Sequence, residues 1–329
     1  MKVLFIGGTG IISSASSELA VSRGIDLYHL NRGESSKQRP IFGVKTIQAD
    51  IRNFAETQVA LGDHHFDVVV NWIAFTTEHI QSDIDMFTDR TEQYVYISTA
   101  ALYETPPSRL PITEETPLSN PYWEYARKKI ACEDLLRKTY EESGFPYTIV
   151  RPSHTYDKTL IPLQGGITTL MRLKQGLPVV SHGDGASIWT LTHHQDFAKG
   201  LVGLLGKQGA INEAYHITSD EWLSWDNIFR HLGSALGIEP KLVHIPSEII
   251  ARYDPVFGEG LLGDKAHSMI FDNSKIKMLV PDFSAEIPFE EGAREIVAWY
   301  EADPQRQKID IHLNTLFDKM IEDFSIYGN

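Results

Sequence analysis

The only cysteine among 329 residues is Cys132. It excludes an internal disulfide framework and fits a reducing compartment. No apolar run approaches the ~20 residues of a membrane-spanning helix, and "MKVLFIGG" reaches its glycines too early to act as a secretory leader. Long basic runs are also missing. Lys and Arg total 30 against 44 Asp and Glu, a formal charge of −14, so a phosphate backbone is repelled. The absence of a G-x-S-x-G elbow argues against an α/β serine hydrolase, and no G-K-[ST] follows the first glycines, which excludes a P-loop. The pairs His64–His65 and His193–His194 are poor metal sites, because adjacent residues point apart on both helix and strand. What remains is a soluble, cytoplasmic globular protein with no metal expected, long enough for one large or two modest domains.

The first thirty residues are the most ordered part of the pattern. Val3 to Ile6 form a continuous apolar run, then come Gly7, Gly8 and Gly10, a helix-forming stretch that ends at Gly24, and a second strand through "IDLYHLN". A continuous run suits a strand buried on both faces of a parallel sheet. Strand, glycine turn, helix and strand make up the dinucleotide-binding unit. Gly7 and Gly10 let backbone N–H groups approach a pyrophosphate at the helix N-terminus, where the dipole favours anions. Ser13 stands in the third glycine place, where a small side chain slightly widens the helix–strand contact. The residue that would hold an NAD ribose is Asn31 rather than a carboxylate, and Arg32 follows it. With nothing to repel a 2′-phosphate and a guanidinium to grip one, NADP is expected over NAD.

Further on, "YARKKIACEDLL" reads as a helix. At about 100° per residue, Tyr125, Lys129, Cys132 and Leu136 share a stripe, while Arg127, Asp134, Arg137 and Lys138 face away. A lysine on an inward stripe is costly unless something occupies it. The strand before it, "QYVYISTAALYE", delivers Ser98 and Thr99 at its C-terminal end, the edge where doubly wound sheets bind ligands.

These segments together resemble the extended short-chain dehydrogenase/reductase family, the NAD-dependent epimerase/dehydratase group. The resemblance implies a catalytic set of hydroxyl, tyrosine and lysine: Thr99 with Ser98 as the competing hydroxyl, Tyr125 and Lys129. A free tyrosine has a pKa of about 10, and an ammonium one turn away beside a positive nicotinamide favours phenolate. Tyr125 then carries the proton that accompanies hydride transfer between the nicotinamide and a carbinol or carbonyl carbon. The resemblance also implies that Gly7, Thr9, Gly10, Ile11, Ile12, Asn31, Arg32, Asp50, Ile51, Ala74, Lys129 and Pro152 hold the cofactor. Asp50 would meet the adenine amino group, at the end of a strand "IQAD". Another buried strand, "FDVVVNWIAF", would end at Ala74 beside the cofactor.

"FPYTIVRPSHTY", "VVSHGDGASIWTLTHHQDFAKGLVGLL" and "DNSKIKMLVPDF" with "PFEEGAREIVAWY" continue the resemblance to about residue 300. The tail "KIDIHLNTLFDKMIEDF" reads as an amphipathic helix without a motif. Three departures bear on substrate. Trp189 stands where the resemblance places a diphosphate-binding arginine, and His154 where it places an asparagine. Ala100 and Ala101 follow Thr99 where sugar dehydratases carry Asp and Glu. Tryptophan cannot reproduce a bidentate phosphate grip, and without the carboxylates dehydration has no evident acid–base pair. Reduction, oxidation or epimerisation of a small, sugar-like substrate is left. His154, Trp189, Asp264, Lys265 and His267 are candidate substrate contacts.

The expected architecture is α/β: a doubly wound parallel Rossmann sheet over residues 1–152, rejoined by a segment near 188–218, with a smaller substrate-binding domain within 153–329. Ile130, among charged residues on the outer face of its helix, is either part of a homodimer interface or a stray surface apolar residue. RNA binding and cofactor sensing without turnover are the alternative functions. The acidic balance and the hydroxyl–tyrosine–lysine set argue against RNA.

Overall fold

A computed structural model describes residues 1–33 and 39–326. In chain order the first half runs β1 (Lys2–Ile6), α1 (Ile11–Ser22), β2 (Asp26–Asn31), β3 (Lys45–Gln48), α2 (Phe54–Leu61), β4 (Phe66–Asn71), α3 (Thr77–Phe87), β5 (Thr91–Ile97), α4 (Glu124–Ser143) and β6 (Tyr147–Pro152). There follow β7 (His154–Tyr156), α5 (Ile167–Lys174), β8 (Val179–His182), β9 (Ile188–Trp189), β10 (Leu191–His193), α6 (His194–Leu204) and β11 (Glu213–Ile217). The chain closes with β12 (Leu223–Ser224), α7 (Trp225–Leu236), β13 (Leu242–Ile245), α8 (Ser247–Tyr253), α9 (Pro255–Gly260), α10 (Ser274–Leu279), α11 (Phe289–Glu301) and α12 (Ile311–Ile326).

Seven strands form one parallel sheet in the order β11-β6-β5-β4-β1-β2-β3. This is the doubly wound Rossmann arrangement. Its order reverses between β1 and β4, and ligands bind outside the carboxyl ends of strands at such a switch point. The apolar run of β1 is explained by burial on both faces. Leu4 and Ile6 pack with Val69, Ile84 and Leu136 on one side. Val3 and Phe5 pack with Val68, Val70, Phe197 and Leu201 on the other. The chain leaves the sheet after β6, and residues 213–217 return to it as the strand beside β6.

Two strands stop earlier than the sequence pattern suggests. β3 ends at Gln48, because the Asp50 carbonyl turns to accept hydrogen bonds from Asn53 N (2.8 Å) and Thr57 Oγ1 (2.8 Å) at the start of α2. β4 ends at Asn71, whose side-chain oxygen accepts from Ile73 N at 2.8 Å and bends the chain before Ala74.

The remaining elements build a second core around Tyr156, Trp189, Trp225, Phe229 and Phe289. Ile130 packs against this core as a half-buried residue. The tail forms α12, which buries Phe317 and Met320. Arg172 holds it through Asn314 Oδ1 (2.8 Å) and Asp318 (2.7 Å). Among the described residues no helix is long and apolar enough to cross a membrane.

An ion pair ties α4 to β6. Glu133 is fully buried and accepts from Arg151 at 2.6 and 3.1 Å. Arg151 also donates to the Tyr103 hydroxyl at 3.0 Å and the Glu114 carbonyl at 3.2 Å. It joins sheet and helix.

Candidate active site

The carboxyl ends of β1, β2, β3 and β4 enclose a groove of about 600 Å³. Gly7, Thr9, Gly10, Ile11, Ile12, Asn31, Arg32, Asp50 and Ile51 line it, as do Arg52, Phe75 and His79. The sequence offers no spacing signal for the last three. The glycine turn has a local cause. Gly7 and Gly8 have φ of +103° and +101°, a region that side chains avoid. A Cβ on Gly8 would lie 2.5 Å from Nε2 of His29. That imidazole is buried, hydrogen-bonded to Ser17 Oγ at 2.8 Å, and held by burial at a pKa of about 4. Ser13 acts through its hydroxyl rather than through its size alone, since Oγ accepts the Gly10 N–H at 2.7 Å. Gly8→Ala is therefore expected to cost about 1–3 kcal/mol in stability through the strained φ. It should also weaken dinucleotide binding about tenfold. Thermal unfolding and an NADPH titration check both, and the double variant with His29→Ala should recover part of the loss.

The groove fits an adenine dinucleotide on structural grounds. It opens at the N-terminus of α1, where the helix dipole favours an anion. Asn31 carries a buried Nδ2 without a hydrogen-bond partner at the groove wall. Its Oδ1 is engaged by Gly33 N at 2.8 Å, which fixes the amide orientation. Arg32 is exposed at the rim.

A second cavity, about 340 Å³, adjoins the groove. Ile97 belongs to the groove wall and Thr99, two residues on, to the cavity wall. The ring of Phe75 in the groove is 6.5 Å from that of Tyr125 in the cavity. Thr99, Tyr125, Pro152, His154, Trp189, Asp264 and Lys265 line this cavity together with Trp123, Met269 and Phe271. His267 is not part of its lining. Pro152 faces the cavity rather than the groove. Ala74 is buried beneath the groove and acts through its carbonyl. Ser98 is buried with an unpartnered Oγ and lines neither space, whereas Thr99 is at the cavity surface beside the Tyr125 hydroxyl.

Lys129 is only 2% exposed. Its ammonium donates to the Ala74 and Ile97 carbonyls, both at 2.9 Å, and lies 5.9 Å from the Tyr125 ring centre. Burial lowers its pKa to about 8. Burial raises the pKa of Tyr125, the Thr99 hydroxyl pulls it down, and the Asp264 charge raises it further. The Lys129 ammonium is directed to the two carbonyls, and burial is the largest influence on the phenol.

Across the cavity, Asp264 and Lys265 sit at the end of a π turn, Leu261–Lys265. Three side chains donate to the Lys265 carbonyl: His182 Nε2 (3.0 Å), Ser187 Oγ (3.1 Å) and Trp225 Nε1 (3.1 Å). Asn120 clamps the same turn to the end of β5, donating to Gly263 O (2.6 Å) and Ala101 O (2.8 Å). The Lys265 ammonium lies 3.7 Å from Asp264 and about 6 Å from the ring centres of Trp123 (5.8 Å) and Trp189 (5.9 Å). Burial raises the Asp264 pKa to about 6 in spite of that ammonium, and lowers that of His154 to about 3. His154 Nε2 and Trp189 Nε1 are buried without partners. The rings of His193 and His194 are 4.5 Å apart rather than divergent, because the strand-to-helix junction folds one onto the other. His193 is taken by Glu295 at 3.1 Å. Among the described residues no group of three or more His, Cys, Asp or Glu side chains is arranged to hold a metal.

A family model described as "NAD dependent epimerase/dehydratase family" matches residues 3–218. The chain is 27% identical over 257 residues to the chloroplast stem-loop binding protein of 41 kDa b of Arabidopsis thaliana, covering 74% of this chain and 65% of that protein. It is 29% identical over 180 residues to 2'-dehydrokanamycin reductase of Streptomyces kanamyceticus, 50% of this chain and 51% of that one. The chain thus spans between half and two thirds of the length of these curated relatives. Among solved structures, UDP-glucuronic acid 4-epimerase from Bacillus cereus, in complex with UDP-glucuronic acid and NAD, superposes with a TM-score of 0.74 at 18% identity. That match covers 92% of this chain and 99% of the other, and shows a shared fold.

Proposed function

The chain belongs to the NAD dependent epimerase/dehydratase family, and from that premise we propose that it is an oxidoreductase or epimerase acting on a carbinol or carbonyl carbon of a small, sugar-like substrate. The observation that carries this reading is the pair of hydroxyls of Tyr125 and Thr99, side by side where the groove meets the cavity. A nicotinamide cofactor supplies hydride acceptance and donation when bound. The residues of the chain do the rest. Gly7 to Ile12, Asn31, Arg32, Asp50 and Ile51 hold and orient the dinucleotide. Thr99 hydrogen-bonds the substrate oxygen, Tyr125 moves the proton at that oxygen, and Lys129 sets the local charge from below.

A phenol whose pKa is raised by burial is suited to donate a proton to a carbonyl oxygen. Trp123, Trp189, Met269 and Phe271 make a largely apolar wall, and the cavity volume is near the lower end of small-ligand sites, ~300–1,000 Å³. Both features favour one sugar-like ring over a nucleotide diphosphate.

For the cofactor, Asn31 and Arg32 support NADP over NAD. Arg32→Ala is expected to weaken NADPH binding by about 10–100-fold, the worth of hydrogen bonds to a charged group (~1.5–3 kcal/mol). NADH binding should not change. Equal losses for both would remove the preference.

The proposal is tested by titrating the protein with NADPH and NADH and then following NADPH absorbance across a panel of free ketoses and cyclic hydroxyketones. A second reading, RNA binding, is favoured by the name of the chloroplast relative and opposed by the formal charge of −14. RNA titration at two salt concentrations separates them: tight RNA binding with a steep salt slope, and no nucleotide binding, would sink the enzyme reading.

A further inference from the structure

We propose that Asp264 is a second proton-transferring residue of this cavity, a base for the C–H bond next to the substrate carbonyl, which gives the site carbon-acid chemistry besides hydride transfer. The inference rests on the reading of the cavity as a carbonyl site and goes beyond it, because hydride transfer at the Tyr125 end does not need a carboxylate opposite.

Geometry carries the argument. The carboxylates expected directly after Thr99 are replaced by Ala100 and Ala101, and a carboxylate reaches the same cavity from a distant part of the chain. Its position is built rather than incidental. Three side-chain donors hold the Lys265 carbonyl, and Asn120 ties Gly263 to Ala101, so the turn is referenced to the strand end that carries Thr99. Gly263 packs closely there, since a Cβ would lie 3.0 Å from that of Trp123. Asp264 is buried, faces the cavity, and is close enough for its charge to act on Tyr125. Strong desolvation beside a specific charge partner, inside a cleft, is a mark of functional carboxylates. A pKa of about 6 leaves the group ionised near neutrality and still basic enough to take a proton.

The step balances without an added reagent. The α-C–H bond breaks, its proton passes to an Asp264 oxygen, and the electron pair moves onto the carbonyl oxygen. That enolate oxygen accepts hydrogen bonds from the protonated Tyr125 hydroxyl and the Thr99 hydroxyl, and the Lys265 ammonium compensates the charge from the far side. A proton returned from Asp264 restores the carbonyl compound, after exchange with solvent if the carboxyl is reached by water. Nothing is oxidised or reduced.

The test uses the full chain loaded with NADP+ in D2O, with free ketoses and cyclic 2-hydroxyketones as probes, and proton NMR to follow loss of the α-hydrogen signal. Reduction of the same probes with NADPH is measured in parallel. Wild type is expected to speed exchange well above buffer. Asp264→Asn should lower it by about 100-fold, as for loss of a general base, while NADPH affinity, read by fluorescence in the separate dinucleotide groove, stays within about threefold. Asp264→Glu should recover part of the exchange. Exchange that persists in Asp264→Asn, or reduction by wild type without exchange, would each overturn the inference and leave the oxidoreductase reading standing. If neither nucleotide binds, or no probe is reduced, that reading fails and the inference falls with it.

Discussion

Tyr125→Phe is expected to lower carbonyl reduction by about 10²–10⁴-fold, the usual worth of a positioned proton donor, while NADPH affinity stays within about threefold. The phenol is half-buried and the Thr99 hydroxyl is beside it. Phenylalanine keeps the ring, its 6.5 Å contact with Phe75 and its 5.2 Å contact with Trp123, so only the hydroxyl is removed. The measurement is the rate on the fastest probe of the panel, with NADPH binding read separately by fluorescence. A variant that keeps most of its rate would move the proton to another group. Thr99→Val should give a smaller loss, because a hydrogen-bonding and orienting group is removed while the proton carrier stays. If Ser98 were the working hydroxyl, Thr99→Val would be mild and Ser98→Ala severe. The burial of Ser98 beneath the cavity floor argues for the first outcome.

The largest effect on stability is expected at Glu133. Glu133→Ala leaves the Arg151 guanidinium, 1% exposed, with only the Tyr103 hydroxyl and the Glu114 carbonyl as partners. Removal of one member of a buried ion pair costs about 3–5 kcal/mol, which lowers the thermal midpoint by several degrees. Arg151→Met alone should cost less, because Glu133 retains Arg137 at 2.7 Å. The double variant Glu133→Leu with Arg151→Met should be more stable than Glu133→Ala, since no uncompensated charge is left in the core. Denaturant unfolding of the three variants checks the order. If all three are equal, the pair contributes little and the adjoining packing dominates.

Both sets of residues show what a chain pattern can carry. Tyr125 and Lys129 are four apart, and helical geometry alone puts them on one stripe; Lys129 is buried there as that stripe requires. Glu133 is four residues beyond Lys129 and equally buried. Its partner Arg151 is 18 residues away on β6, outside the reach of any helical spacing. Asp50 and Ala74 sit beside the groove although their strands end earlier, because strand ends are decided by hydrogen bonds from the turns that follow.

Local patterns were enough for the family resemblance, the α/β class, the first six strands in chain order and the glycine turn, since each depends on short motifs, local periodicity or a backbone conformation encoded within a few residues. It took the packing of distant segments to half-bury Ile130 against the second core, to leave His267 out of the cavity lining, to direct the Lys129 ammonium to two carbonyls, and to bring Asp264 near Tyr125 across more than a hundred residues of chain. Those outcomes depend on which distant surfaces meet once the second core has packed, and on how much water each charge loses there. Neither quantity is written in the spacing of residues along the chain.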